Sequence, residues 1–135
     1  MRRATTFVLL LTLCSCANFS AQMYRGLTVS QAGWQQLMNA VDRAESEGKI
    51  TPGAARVILT YEERYRTTHN QIAALTAQWV ELKAIAANED QLRTLKARII
   101  AFQVALAQTI AEFSGFLTEM GVLDANPFRR PTAAN

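Results

Sequence analysis

Beyond residue 16 the sequence has no cysteine; its two are Cys14 and Cys16. A disulfide framework, a thiolate metal site and a cysteine nucleophile are thereby excluded from everything downstream. His69 is the one histidine, so no set of imidazoles exists to hold zinc. The phosphate-loop, dinucleotide, serine-hydrolase and zinc-protease signatures are also missing. Glycine and proline are scarce, six and three in 135 residues, so few breaks interrupt the chain and long elements are expected. Excess charge is lacking too. The formal charge is +3, and setting aside Arg2 and Arg3 leaves the remainder near +1. Nucleic acid binding needs a clustered positive field, so no nucleic acid partner is expected. Neither a metal nor a cofactor is implied, and the chain reads as a non-enzyme.

The carboxylates that do stand together offer no acid–base dyad. Glu62-Glu63 and Glu89-Asp90 are sequence neighbours, and neighbours on a helix point about 100° apart. The first pair reads as solvated charge. The second falls in a first helical turn, where acids suit the positive end of the helix dipole.

What is present begins with an address. Met1-Arg2-Arg3 is followed by the apolar run Phe7 to Leu13. The stretch from Ala4 to Ala17 is shorter than the roughly 20 residues a spanning helix requires and has the pattern of a secretory signal peptide over residues 1–15. The residues Leu13-Cys14-Ser15-Cys16-Ala17 then supply an aliphatic side chain, a tolerant position, a small residue and a cysteine. This segment resembles the lipobox of bacterial lipoprotein precursors, and the resemblance covers the first 17 residues. It implies cleavage before Cys16, acylation of Cys16 and anchoring in membrane lipid. Ala17 after that cysteine implies the outer membrane, facing the periplasm. The competing reading is cleavage after Ala17, which gives a secreted, unlipidated protein. Residues 16–27 read as the lipidated cysteine and a short tether.

The rest reads as all-α, with a helical bundle over residues 28–121 and a flexible tail over 122–135. Thr28 and Gln31 suggest a capping box before a first helix at about 29–47, with the stripe Trp34, Leu37, Met38, Val41 and Ala44. Gly48 stops it. Thr51-Pro52 restarts the chain, with Thr as N-cap and Pro at the first helical position. A second helix, about 52–87, carries Ile58, Tyr61, Tyr65, Thr68, Ile72, Leu75, Trp79, Leu82 and Ala86. A third, about 89–121, carries Leu92, Leu95, Ile99, Phe102, Leu106, Thr109, Phe113, Phe116 and Met120. Both stripes alternate three and four, a heptad seam. The phase breaks between Ala86 and Leu92, where Asn88 offers a cap.

Folding the chain back there pairs the seams in layers: Ala86 with Leu92, Trp79 with Ile99, Tyr65 with Phe113, Tyr61 with Phe116. The two seam threonines, Thr68 and Thr109, fall opposite one another, where their hydroxyls can satisfy each other. Arg64 and Glu112 fall side by side. The expected architecture is a long antiparallel, coiled-coil-like helical hairpin with a shorter N-terminal helix on its base, making a three-helix bundle below and a two-helix tip. Ile110 and Leu117 are the expected contacts for that first helix. Near the tip, Val80, Ile85, Ile100 and Val104 fall outside the seam and form a candidate partner-binding or self-association surface.

The functional expectation is a membrane-anchored envelope lipoprotein acting as a structural or protein-interaction scaffold. The alternative is a module for a small apolar ligand held near Trp34, Tyr65 and Phe113. Phe128-Arg129-Arg130 in the tail carries too little charge for strong lipid binding, at about 1 kcal/mol per arginine.

Overall fold

The structure is a computed structural model and describes residues 18–123. Cys16, the signal segment and the tail with Phe128-Arg129-Arg130 lie outside the described residues. Three helices account for nearly all that is described: α1 (Phe19–Ser46), α2 (Pro52–Ala84) and α3 (Glu89–Glu119). Each packs on the other two, giving an all-α three-helix bundle.

The hairpin register follows the heptad reading. Arg64 Nη1 lies 3.1 Å from Glu112 Oε2, and the Tyr61 and Phe116 rings lie 6.0 Å apart. The Arg64–Glu112 pair is well exposed, so it marks the register more than it enforces it. The enforcing groups are Ile58, Tyr65, Ile72 and Trp79 of α2 against Leu95, Ile99, Leu106 and Phe113 of α3, all buried.

The first helix departs from expectation. It begins at Phe19, about ten residues earlier than its stripe suggested, and residues 19–27 are helix instead of tether. Phe19, Met23 and Leu27 are buried. They continue the face of Trp34, Leu37, Val41 and Ala44 at four-residue spacing. Thr28 is therefore mid-helix and caps nothing. Its hydroxyl donates to the Tyr24 carbonyl at 3.0 Å, a common arrangement for a threonine inside a helix.

At about 1.5 Å per residue, α1 is roughly 40 Å long and α2 roughly 50 Å. The α1 start reaches the α2–α3 turn end. Phe19 meets the Trp79 ring edge-on at 5.0 Å, and the Lys96 ammonium stands 5.0 Å from the Phe19 ring centre. The tip is thus covered by α1 on one side, so the two-helix tip is not what forms. Further down, Trp34 stacks on Tyr65 at 4.3 Å. From these contacts α1 runs antiparallel to α2 and parallel to α3.

This third helix turns the interior away from the two-helix seam. Thr76 of α2 and Ser114 of α3 are fully buried, and Ile110 and Leu117, the pair expected to meet α1, are buried as well. Leu75, Leu82, Phe102 and Phe116 are only partly buried. The matched threonines behave differently from expectation as well. Thr109 directs its one proton to the Ala105 carbonyl at 2.9 Å, not to Thr68, which is half-buried.

Helix ends explain the remaining boundaries. Thr51 Oγ1 accepts from the Ala54 amide at 3.2 Å. Asn88 Oδ1 accepts from the Asp90 amide at 2.8 Å. All three helices close with paired bonds from the second and third residues past the helix to carbonyls in the last turn, the Schellman arrangement. Gly48 and Gly121 provide the left-handed residue for α1 and α3, with φ of 69° and 71°. For α2 it is Ala86, with φ of 51°. The helix stops at Ala84, and Ala86 lies in the turn instead of facing Leu92 in the seam.

Candidate functional site

Among the described residues no group of three or more histidine, cysteine, aspartate or glutamate side chains could hold a metal ion. His69 packs its ring against Tyr65 at 5.6 Å. Tyr65 is buried enough that desolvation raises its hydroxyl above the ordinary tyrosine value, and its oxygen has no hydrogen-bond partner among the described residues.

The rings expected near an apolar ligand pack on one another. Trp34 stacks on Tyr65, lies 4.8 Å from the fully buried Phe113, and Tyr61 closes on Phe113 at 5.2 Å. Rings at these spacings are in van der Waals contact and leave no ligand-sized gap between them. Outside the stack, Trp34, Tyr65, Glu62, Arg66 and His69 border a shallow groove of about 290 Å³.

The proposed partner residues are exposed: Val80 by 43 %, Ile85 by 74 %, Ile100 by 45 % and Val104 by 62 %. The structure brings Ile100 and Val104 together, one turn apart on α3. Val80 is on α2 beside buried Trp79, and Ile85 caps the C-terminus of α2.

The Ile100–Val104 pair belongs to a larger apolar surface. From Ile99 to Ala111 α3 carries no charged residue. Its outward positions over that length are Ile100, Ala101, Val104, Ala105, Ala107, Gln108 and Ala111, all exposed, and only Gln108 is polar. A stretch of α3 is long and apolar enough to cross a membrane by length and composition, with a mean hydropathy of 1.4 and a third of it buried. In the bundle that apolarity serves two faces, one turned to the core and one outward. Tyr24, Val29, Val57 and Leu59 are further exposed apolar residues that the sequence reading did not single out. Tyr24 was hidden by its assignment to the tether. The others fall off the stripes, as Ile100 and Val104 do, and that signal would have found them.

A second feature appears at the end where α1 begins. Trp79, Lys83, Glu89, Leu92, Arg93 and Lys96 line a groove of about 440 Å³. The Lys83 ammonium stands 4.8 Å from the Trp79 ring centre. Arg93 is paired with Asp90.

Compared with known proteins, the chain matches no family model, no curated protein and no solved structure. The functional reading therefore rests on the residues alone.

Proposed function

We propose that the protein is a membrane-anchored envelope lipoprotein, acylated at Cys16, that serves in the periplasm as a structural or protein-interaction scaffold. One observation carries the scaffold reading: the uncharged outward face of α3 centred on Ile100 and Val104. A surface helix that only faces water normally carries polar residues there. An apolar outward stripe on a helix whose core side is already packed suits a partner helix or a second copy of the chain. The lipobox-like Leu13-Cys14-Ser15-Cys16 supports the anchor, since several acyl chains on one cysteine hold a protein at a bilayer stably.

The two parts have separate tests. The mass of the N-terminal peptide from membrane-purified protein should show acyl chains on Cys16. A chain beginning at Asn18 with no lipid would refute anchoring. Val104→Glu and Ile100→Glu should each abolish co-purification of a partner, or reduce the oligomeric mass, while helicity is unchanged. If both variants keep the same partners and mass, the α3 face is not the docking surface.

A further inference from the structure

The start of α1 and the hairpin tip belong to the same end of the molecule. Phe19, the first residue of α1, packs between Trp79 and Lys96, near the α2–α3 turn. Cys16 precedes it by three residues, which span at most about 11 Å whatever their conformation. A lipid on Cys16 would therefore bring the bilayer to this end of the bundle, not to the base, where α1 passes into α2.

The surface at that end is suited to phospholipid. Trp79 and Leu92 give the groove an apolar floor, and Lys83, Lys96, Glu89 and the Asp90-paired Arg93 line it. Lys83 sits over the Trp79 ring and Lys96 over the Phe19 ring. An ammonium has three donors, so the face contact of Lys96 with the Phe19 ring leaves it able to donate to an anionic oxygen. Ile85, the most exposed large apolar residue described, projects from the adjoining turn. Aromatic, basic and aliphatic side chains in this order are what the headgroup layer accommodates.

We propose that the groove of Trp79, Lys83, Leu92, Arg93 and Lys96 is seated on the membrane and takes the phosphate of an anionic phospholipid. The proposal rests on anchoring at Cys16. It orients the bundle with the α2–α3 turn at the bilayer and the α1–α2 loop farthest from it. The α3 face that carries Ile100 and Val104 then stands clear of the lipid.

The test uses the full chain reconstituted in vesicles of phosphatidylcholine alone or of an equal mixture with phosphatidylglycerol, each with headgroup-level spin-labelled lipid. The chain has two tryptophans, and Trp34→Phe leaves Trp79 as the reporter. Trp79 quenching should be several-fold stronger in the mixed vesicles and fall to the phosphatidylcholine level in Lys83→Gln/Lys96→Gln. Equal quenching in both compositions, unaltered by the lysine changes, overturns the proposal. So does an equal response to inorganic phosphate without lipid, which would assign the groove to a free anion. So does protection of Trp79 together with a doubled mass, which would assign it to a second copy. Should Trp34→Phe not fold, acylation footprinting of Lys83 and Lys96 in the unsubstituted chain gives the same answer, with protection expected only in the mixed vesicles. Mass analysis of Cys16 separates the two ideas. An acylated chain with an unprotected groove retains the anchor and loses this site. An unmodified Cys16 with a protected groove does the reverse.

Discussion

Thr76 and Thr109 form a natural experiment within one core. Both are buried, at 0 % and 2 % exposure. Thr109 donates to the Ala105 carbonyl, whereas the Thr76 hydroxyl has no hydrogen-bond partner among the described residues. Valine has nearly the shape of threonine, so substitution changes the hydroxyl and little else. An unsatisfied buried hydroxyl costs about 1–3 kcal/mol, and removing it by Thr76→Val should stabilise the bundle by about 1 kcal/mol. For a domain of this size that raises Tm by about 5 °C. Thr109→Val loses a bond, though the Ala105 carbonyl keeps its place in the helix, so it should be neutral or cost up to about 1 kcal/mol. Urea unfolding followed by circular dichroism reads both, with unchanged slope marking a like-for-like comparison. If Thr76→Val destabilises as much as Thr109→Val, the Thr76 hydroxyl is satisfied and the account of an interior rotated toward α1 is wrong.

Three further outcomes are expected. Ala86→Gly should stabilise by about 0.5–1 kcal/mol, because a left-handed residue carries no penalty as glycine; a loss of stability in thermal melts would show that Ala86 makes a contact worth more than its strain. A Cβ at Gly26 would meet Gln103 Nε2 at 2.8 Å, the mobile end of a side chain whose bond to the Met23 carbonyl is long at 3.5 Å. Gly26→Ala should therefore retain most of the roughly 1 kcal/mol helix advantage of alanine, and a net loss in the same melts would place the α1–α3 approach under tighter constraint. Burial raises the Tyr65 pKa above 10.0, so the folded chain resists losing that proton while the unfolded chain does not. Its contribution is intact below the ordinary tyrosine value and lost as pH rises through it toward the raised folded value. Unfolding midpoints across this alkaline range should fall less for Tyr65→Phe than for the unaltered chain, and equal slopes would contradict the burial argument.

The hairpin was legible because each signal was local and repeated. The three-four alternation fixed two faces, Thr51-Pro52 and Asn88 marked restarts, and only one register brought Arg64 to Glu112. What was missed depended on the third helix. Phe19, Met23 and Leu27 are spaced by four, but Gly26 lies within the stripe and Thr28 just after it, both weak helix formers, so the stripe is faint until α2 and α3 are there to receive it. Thr76 escaped notice because sorting by hydrophobicity cannot find a polar residue in a core. The end of α2 ran long because alanine, not glycine, takes the left-handed position at residue 86. Exposure of Val80, Ile85, Ile100 and Val104 followed from helical phase alone. The groove beside Lys83 and Lys96 did not, because the Phe19 ring under Lys96 depends on where α1 starts.

The position of that start is tested most directly by spin-label distances in the full chain, with Cys14 and Cys16 replaced by serine. Labels on Gln22 and Gln91 should lie about 20 Å apart in a narrow distribution, from a rise of 1.5 Å per residue and helix spacing of 8–10 Å. Labels on Gln22 and Arg56 should lie beyond about 30 Å by the same geometry. A broad distribution for both pairs, as a flexible tether would give, would contradict a first helix that reaches the turn between α2 and α3.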